Sequence, residues 1–375
     1  MRWEMTDEHQ ALQLSFRAWL ERYAPPPSAA KWFEEADEGP FEERLTADGW
    51  DTVGLPEDRG GQGGGLVELA ILAEEMGRAG VPSSAWLANC VAAPAVEALA
   101  GGSSRVVGPG IGAASSLTGE HHDHAGGVAL AVDCHAPPDA AGEVVVDDSG
   151  RLFGRMARVL GADRANTLVV PARASEGVGL YVVDTDATGV VFRRRQFLDR
   201  ARSVADVGFT GVAGEPMTAD AAAVLRNVTL RAAILVAADS LGASQHMLDL
   251  AVGYSLQRYQ FGVPIGSFQA VKHAAATMLV AVEAARSIVY FAAASTDQGL
   301  DDAPLHAAVA KAQVGPAGEK VADLALAVHG AIGYTWEYEL QRFYKRAKLD
   351  AALFGRAPAW NEQLAQALLG GNAAT

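Results

Sequence analysis

The sequence predicts an α+β multidomain protein in which a helical part, a β part and a second helical part follow one another. The boundaries fall where the composition changes, giving residues 1–105, 106–214 and 215–375. The outer parts carry apolar residues at helical spacing, whereas the middle part carries short Val-rich runs separated by Gly, Pro, Asp and Asn. Half of the 375 residues are hydrophobic, which is enough for substantial cores.

The N-terminal part begins with a predicted helix. Thr6 is a candidate N-cap, and Leu12, Phe16 and Leu20 follow at helical spacing. A Gly-rich loop, GLPEDRGGQGGG, separates this helix from a second predicted helix in LVELAILAEEMGRAG.

The middle part is predicted to consist of short strands joined by turns. The runs that indicate strands are GVALAVD, GEVVVDD, NTLVVPA, GLYVVDT and GVVFRR. Such regular spacing of short strands and turn residues is typical of an all-β sandwich or barrel.

The C-terminal part returns to helices. Pro216, Thr218 and Asp220 form a helix start signal, and an apolar stripe follows it. The stripe consists of Leu230, Ile234, Ala238, Leu241, Leu248, Val252 and Leu256. Two further Ala-rich helices are predicted at about 268–298 and 303–329, and long helices with short connectors indicate a four-helix bundle.

Charge and cysteine content exclude several classes of protein. A formal net charge of −15 without a concentrated basic face argues against nucleic-acid binding. Cys90 and Cys134 make neither a disulfide framework nor a metal site. The first residues lack a signal-peptide core, and the apolar runs are interrupted before about 18 residues, so we expect a cytoplasmic protein without a membrane span.

The stretch RYQFGVPIGSFQAVKH, residues 258–273, interrupts the helical pattern with Gly and Pro. A turn needs those two residue types, but it has no need of Arg258, Phe261 and Gln269. A cation, a flat ring and an amide together suit a nucleotide, with the guanidinium on a pyrophosphate and the ring against a base. The same residues also fit a plain corner in which Phe261 is core and Arg258 pairs with an acid.

A second stretch, VHGAIGYTWEYE, covers residues 328–339. Gly330 and Gly333 allow a backbone to approach a ligand closely, and loop N–H groups can face a phosphate. A tight turn between helices needs the same glycines, so this stretch alone leaves both interpretations open.

Together, the order of the three parts, the pattern R-x-x-F-G-x-P-I-x-x-F-Q and the later HGAIGYTWEYELQRFYKRAK resemble the flavin-dependent acyl-CoA dehydrogenase family. The resemblance covers nearly the whole chain. It implies the acyl-CoA dehydrogenase fold, FAD as cofactor and an acyl-CoA substrate. In the family the corner binds the pyrophosphate and adenosine end of a flavin seated in a neighbouring subunit. The FAD-binding residues that the resemblance implies are Arg258, Phe261, Gln269, His329, Gly330 and Ala331.

The catalytic base that the resemblance implies is missing. Family members place a Glu either after the last Arg-Asp-Ala-Lys-like helix or on the long helix before the corner, and these positions hold Phe354 and Ala232. Neither side chain can accept a proton. The acids that offer substitutes are Asp239, Asp350, Glu337 and Glu339, each of which fits a solvated, capping or ion-paired role better than a catalytic one.

The segments that hold the flavin ring in the family have changed as well. The match to the first is GVALAVDC, residues 127–134, which has no hydroxyl, and SSLTGE with Ser116 and Thr118 lies too far upstream. In the second segment, Arg158 stands at the Trp position and Leu160 at the hydroxyl position.

The base and the ring contacts are thus lost while the corner is kept. This combination predicts a non-catalytic subunit that completes the FAD site of a homologous partner in a heterotetramer, as in family members that act in actinobacterial breakdown of steroid side chains. Two alternatives stay open: a self-sufficient dehydrogenase, including a homo-oligomer, with Asp239 or Asp350 as displaced base, and a flavin-free scaffold. Arg231, beside the vacant long-helix position, is expected in solvent.

Overall fold

The computed structural model describes most of the chain. The described residues are 4–100, 127–138, 142–217 and 219–370. Ser116 and Thr118, the Thr218 of the helix start signal, and the residues after 370 lie outside them.

The chain divides into two compact units, each assembled from separate stretches. Unit 1 comprises residues 1–34, 66–81 and 233–375, and unit 2 comprises residues 35–65 and 82–232. Because stretches from both ends of the chain combine in unit 1, these units differ from the three predicted parts, whose boundaries after residues 105 and 214 stay predictions.

The N-terminal stretch is helical, as predicted. Its helices are α1 (Asp7–Tyr23), α2 (Pro26–Glu35), α3 (Gly39–Ala47), α4 (Leu66–Ala79) and α5 (Ser84–Ala100). Thr6 caps α1, because its hydroxyl accepts from the His9 N–H at 3.2 Å while the His9 ring accepts from the Thr6 N–H at 3.3 Å. This capping box satisfies two backbone donors near the start of α1, which confirms the predicted start.

The predicted β part forms one eight-stranded sheet in unit 2. Its strands are β1 (Gly127–Leu130), β2 (Val145–Val146), β3 (Arg151–Leu160), β4 (Ala165–Ala174), β5 (Gly177–Asp184), β6 (Val190–Arg195), β7 (Val204–Ala213) and β8 (Glu215–Pro216). The strand order is β6-β7-β3-β2-β4-β5-β8, with β1 paired to β4. Each Val-rich run overlaps a strand. The long strands β3 and β7 lie outside those runs, because Arg, Gly and Phe interrupt the apolar residues of β3, and Asp, Gly, Phe and Thr interrupt those of β7.

The C-terminal stretch is a helical bundle, as predicted. Its helices are α6 (Ala221–Gln257), α7 (Gln269–Asp297), α8 (Ala303–His329), α9 (Leu340–Ala352) and α10 (Ala357–Gly370). Asp220 starts α6, since its carboxylate accepts from the N–H groups of Ala222 and Ala223 at 2.9 and 3.2 Å. Within unit 1, α8 packs against α7, α9 and α10.

Two glycines let α4 and α6 cross in unit 1 with their backbones in contact. A Cβ on Gly242 would lie 1.8 Å from the carbonyl oxygen of Glu74, and one on Gly77 would lie 2.1 Å from that of Asp239. No side chain fits either place, so this crossing fixes the position of Asp239 on α6.

Two described helices, α6 and α7, are long and apolar enough to cross a membrane by length and composition alone. Charged residues interrupt both helices, as expected from the sequence, with Arg231 and Asp239 in α6 and Glu283 and Arg286 in α7. The apolar window of α6 is 67% buried inside the structure, as in a core helix, and that of α7 is 28% buried. By themselves these helices are weak evidence for a membrane span.

Candidate functional site

The corner after α6 is a two-stranded hairpin that displays an aromatic ring. Strands β9 (Tyr259–Gln260) and β10 (Val263–Pro264) pair antiparallel around Phe261 and Gly262. Both central residues have positive φ, 55° and 81°, as a tight two-residue hairpin turn requires. Glycine adopts this backbone freely, but a bulky aromatic residue is strained in it. Nevertheless the Phe261 ring is 91% exposed, with an edge-to-face contact to Phe268.

The polar members of the corner are exposed too. Arg258 follows α6 directly and its guanidinium forms no ion pair with any of the described residues, while its carbonyl accepts from the Ile265 N–H at 2.8 Å and closes the hairpin. Gln269 is the exposed first residue of α7. An unburied ring and an unpaired cation are what a ligand would use, and they disagree with the plain-corner interpretation of this stretch.

The second stretch turns sharply at its first glycine. Gly330 ends α8 with φ 66° and ψ −140°, a backbone that residues with a Cβ avoid. Gly333 is buried, and a Cβ there would lie 2.9 Å from the Leu326 side chain. Gly330 and Ala331 are exposed, so the predicted contact surface of this loop is its first two residues.

His329, by contrast, faces inward. Its Nδ1 lies 2.7 Å from the carbonyl oxygen of Ala325, and its Nε2 lies 3.0 Å from the hydroxyl of Tyr338. Its ring also stacks on Tyr254 at a centroid distance of 4.6 Å. Both ring nitrogens have hydrogen-bond partners within the chain, so His329 supports the loop from the protein interior.

The two positions of the family base are apolar and buried. Ala232 lies inside α6 and is fully buried, and Phe354 follows α9 and is buried as well. Phe354 has a positive φ of 54°, and the indole N–H of Trp360 donates to the carbonyl oxygens of Phe354 and Gly355 at 3.0 and 3.2 Å. Neither site offers a proton acceptor in place of Glu.

The nearby acids have other partners. Asp239 is buried and forms a two-point ion pair with Arg346 at 2.7 and 2.5 Å. The Glu339 carboxylate lies 3.2 Å from His246 Nε2, and this hydrogen bond lowers the pKa of Glu339. Glu337 is exposed.

Asp350 is buried on α9 next to a buried amine. The ammonium of Lys311 donates to the backbone carbonyl oxygens of Asp350 and Ala351 at 2.9 and 3.3 Å. Burial lowers the pKa of Lys311 to about 8, and the Asp350 charge acts in the opposite direction. The Lys311 ammonium thus contacts the backbone at Asp350, and both residues are buried.

The two segments that match the flavin-ring cradle meet in unit 2, but an ion pair joins them. Arg158 sits at a bulge of β3 with φ 52°, and its guanidinium forms a two-point ion pair with Asp133. Its backbone N–H donates to Asp206 at 3.1 Å. Leu160 is buried. The segment from 127 to 134 therefore contributes a carboxylate rather than a hydroxyl, and the side chain at the Trp position is Arg158.

Several of these partners were missed by the sequence analysis. Arg231 was expected in solvent, yet it is half-buried and points its guanidinium at the Cys90 carbonyl oxygen at 3.4 Å. Arg346 and Asp133 carried no signal, because each is far in sequence from the residue it binds. Tyr254 did carry one, since it precedes Arg258 by about one helical turn.

Known proteins match the chain over nearly all of its length. The model for the acyl-CoA dehydrogenase N-terminal domain matches residues 6–103, and that for the C-terminal domain matches residues 223–369. The acyl-CoA dehydrogenase IpdE2 of Mycobacterium tuberculosis is 30% identical over 352 residues, 92% of this chain and 93% of the relative. IpdE2 of Mycolicibacterium smegmatis is 29% identical over 356 residues, 94% of this chain and 96% of the relative.

Solved structures agree with these relatives. A variant of the Tcur3481-Tcur3483 steroid ACAD is 27% identical with a TM-score of 0.82, covering 99% of this chain and 100% of that chain. The complex of glutaryl-coenzyme A dehydrogenase with glutaryl-CoA is 27% identical with a TM-score of 0.83, covering 100% of this chain and 98% of that chain. The chain therefore belongs to the acyl-CoA dehydrogenase family, oxidoreductases whose cofactor is FAD.

Proposed function

We propose that this chain is a subunit of a heteromeric acyl-CoA dehydrogenase, that it completes the nucleotide end of an FAD held by a homologous partner, and that the partner supplies the catalytic base. The observation that carries the proposal is a contrast within the chain. Phe354 and Ala232 are buried and apolar, whereas Arg258 and Phe261 are exposed on a strained hairpin.

The chemistry needs two groups that this chain lacks at the expected places. Dehydrogenation removes a proton from Cα of the acyl thioester and a hydride from Cβ. FAD supplies the hydride acceptor when bound, and a carboxylate is needed for the proton. Asp239 is held by Arg346, and Glu339 by His246, so a carboxylate of the partner is the better candidate for the base.

The residues of this chain fit one end of FAD and not the other. An unpaired guanidinium suits the pyrophosphate, and an exposed ring suits the adenine. At the ring end, the Arg158–Asp133 ion pair takes the place of the hydroxyl and Trp contacts found in the family. We therefore assign Arg258, Phe261, Gln269, Gly330 and Ala331 to a nucleotide surface that serves a flavin seated in the partner.

An exposed apolar face on α7 supports assembly with another chain. In the first half of α7, Leu279 and Val280 are 49% and 70% exposed, and Leu256 near the end of α6 is 65% exposed. Apolar surface of this kind is commonly covered by a partner. We propose a homologous subunit in a heterotetramer as that partner, with a homo-oligomer as the alternative.

The substrate part of the proposal rests on relatives. The similarity to a steroid ACAD favours a steroid side-chain CoA thioester as the acyl-CoA, and the cytoplasmic location expected from the sequence belongs to the same proposal. Fold-level likeness alone does not fix a substrate, so this assignment follows the relatives rather than the pocket.

The first experiment is to purify the chain alone and record absorbance from about 300 to 550 nm together with its mass by light scattering. We expect a protein without flavin absorbance, because the ring contacts are missing. A yellow protein whose flavin is bleached by an acyl-CoA would contradict the proposal and favour a self-sufficient dehydrogenase. A reconstituted complex whose FAD affinity is the same with and without this chain would favour the flavin-free scaffold.

A further inference from the structure

His329 has one neutral tautomer that satisfies its surroundings. A carbonyl oxygen can only accept, so the contact of 2.7 Å to Ala325 fixes the proton on Nδ1. In the neutral ring Nε2 is then an acceptor, and the Tyr338 hydroxyl at 3.0 Å donates to it. Burial lowers the pKa of His329 below its usual value of 6.5, in agreement with a neutral ring.

Tyr254 ties this ring to the corner. Its side chain stacks on His329 with centroids 4.6 Å apart and an interplanar angle of 26°. Its backbone carbonyl accepts from the Arg258 N–H at 2.9 Å, at the end of α6. One residue thus touches both the start of the hairpin and the base of the loop.

Tyr338 ties the same ring to the far side of the loop. The loop from Gly330 to Tyr334 runs between His329 and Tyr338, and the Tyr338 ring also meets Tyr254 edge-to-face at 6.4 Å. The three rings therefore contact one another pairwise. With Gly330 free to adopt many backbone angles, these contacts limit where the exposed end of the loop can lie.

We propose that Tyr254 and Tyr338 are positioning residues that act through His329 to hold the 258–269 corner and the 330–334 loop as one surface for the adenosine diphosphate part of a dinucleotide. This inference rests on the proposed function and adds residues that do not touch the nucleotide themselves. A surface that is ordered before binding loses less conformational entropy on binding, so the cluster raises affinity without adding a contact.

The test uses the flavin-containing oligomer isolated through a tag on this chain, with FAD and ADP as probes. Tyr338→Phe removes the hydroxyl and keeps the ring. Tyr254→Leu removes the stacked ring, and Tyr254→Phe keeps it. Tyr344→Phe is the matched control, because Tyr344 is half-buried on α9 and its hydroxyl also donates to a side chain, that of Asp323 at 3.0 Å.

We expect Tyr338→Phe and Tyr254→Leu to weaken FAD and ADP binding about 3- to 10-fold, the effect of a lost hydrogen bond or ring contact. Tyr254→Phe and the control should bind as the unchanged protein does. NMR of ¹³C-labelled histidine should show a shifted ring signal for His329 in Tyr338→Phe, because Nε2 loses its hydrogen-bond partner.

Two results separate the proposals. If Arg258→Ala weakens FAD binding while the tyrosine variants fold and bind normally, the positioning role is overturned and the proposed function stands. If Arg258→Ala also binds FAD normally, the assignment of these residues to a nucleotide-binding surface is wrong, and the proposed function fails with it. Weakened binding in Tyr254→Leu that Tyr254→Phe does not share supports the positioning role, and equal loss in the Tyr344→Phe control overturns it.

Discussion

Asp239 and Arg346 form a two-point ion pair inside unit 1. Arg346 Nε lies 2.7 Å from one carboxylate oxygen and Nη2 lies 2.5 Å from the other, and Nη1 donates to the Val81 carbonyl oxygen at 2.7 Å. Both side chains are buried. A carboxylate with both oxygens bound to a guanidinium is poorly placed to take a proton from a substrate, so this pair explains how the protein can carry an acid near a vacant base position without using it.

Asp239→Asn should lower the free energy of unfolding by about 3–5 kcal/mol, because it leaves a buried guanidinium uncompensated. Urea unfolding measures this loss. The double variant Asp239→Leu with Arg346→Met should recover most of the stability, since an apolar pair of similar volume replaces the ions. We expect both forms to support flavin reduction per folded complex at the normal rate. A stable double variant that no longer reduces flavin would identify Asp239 as the base.

Arg258→Ala should weaken retention of FAD in the assembled enzyme by about 10- to 150-fold, the effect of losing a charge-assisted hydrogen bond of about 1.5–3 kcal/mol. Flavin release followed by fluorescence measures it. Arg193→Ala is the matched control, because Arg193 is also exposed and unpaired among the described residues, on β6 of unit 2. Equal retention in both variants would make the corner architectural.

Phe261→Gly should separate stability from binding. The positive φ of 55° strains a residue with a Cβ by about 1–2 kcal/mol, and glycine removes that strain at the expense of a more flexible unfolded chain. We therefore expect an unchanged or slightly higher melting temperature together with weaker FAD binding. A lower melting temperature with normal FAD affinity would mean that the exposed ring serves folding rather than the nucleotide.

Lys311 should make stability depend on pH above neutrality. Its pKa is about 8 in the folded protein against the usual 10.5 of a lysine, so between these values the unfolded chain binds a proton that the folded chain does not. Stability from this group therefore rises with pH across that window, and below about pH 8 the penalty of burying the charge is fully present. Summed over the window the gain is about 3 kcal/mol.

The measurement is urea unfolding from about pH 7 to pH 10.5 for the unchanged protein and for Lys311→Met. Subtracting the two curves cancels the other groups that titrate in this range. The difference should change by about 3 kcal/mol in favour of the unchanged protein as pH rises. Parallel curves would show that Lys311 titrates like an exposed lysine.

Local patterns predicted the elements well where the signal was periodic. The start of α1 at Thr6 and the bounds of α7 and α8 agree with the sequence to within about a residue, because capping and helical spacing depend on neighbours in the chain. The strands β3 and β7 were missed for the opposite reason. Their burial does not alternate regularly, and Arg, Gly and Phe in β3 and Asp, Gly, Phe and Thr in β7 interrupt the apolar pattern.

The candidate site was predicted in part. The exposed hairpin with Arg258 and Phe261 agrees with a corner that carries more than a turn needs, although its nucleotide role stays a prediction. His329 was predicted as an FAD-binding residue from a sequence motif. A motif gives the residue type but not the direction in which the side chain points. In the structure this side chain faces inward between Tyr254 and Ala325.

The sequence by itself determined the order of helical and β parts, the corner and loop motifs and the absence of a carboxylate at positions 232 and 354, because residue type and spacing are local properties. Only the tertiary structure decided which charges meet. Arg346 pairs with Asp239, which is 107 residues away in the sequence, and Arg158 pairs with Asp133, which is 25 residues away. These pairings depend on how the helices cross and how the strands align in the sheet. The Asp239–Arg346 pair is buried and needs both partners desolvated together, which happens only in the folded chain.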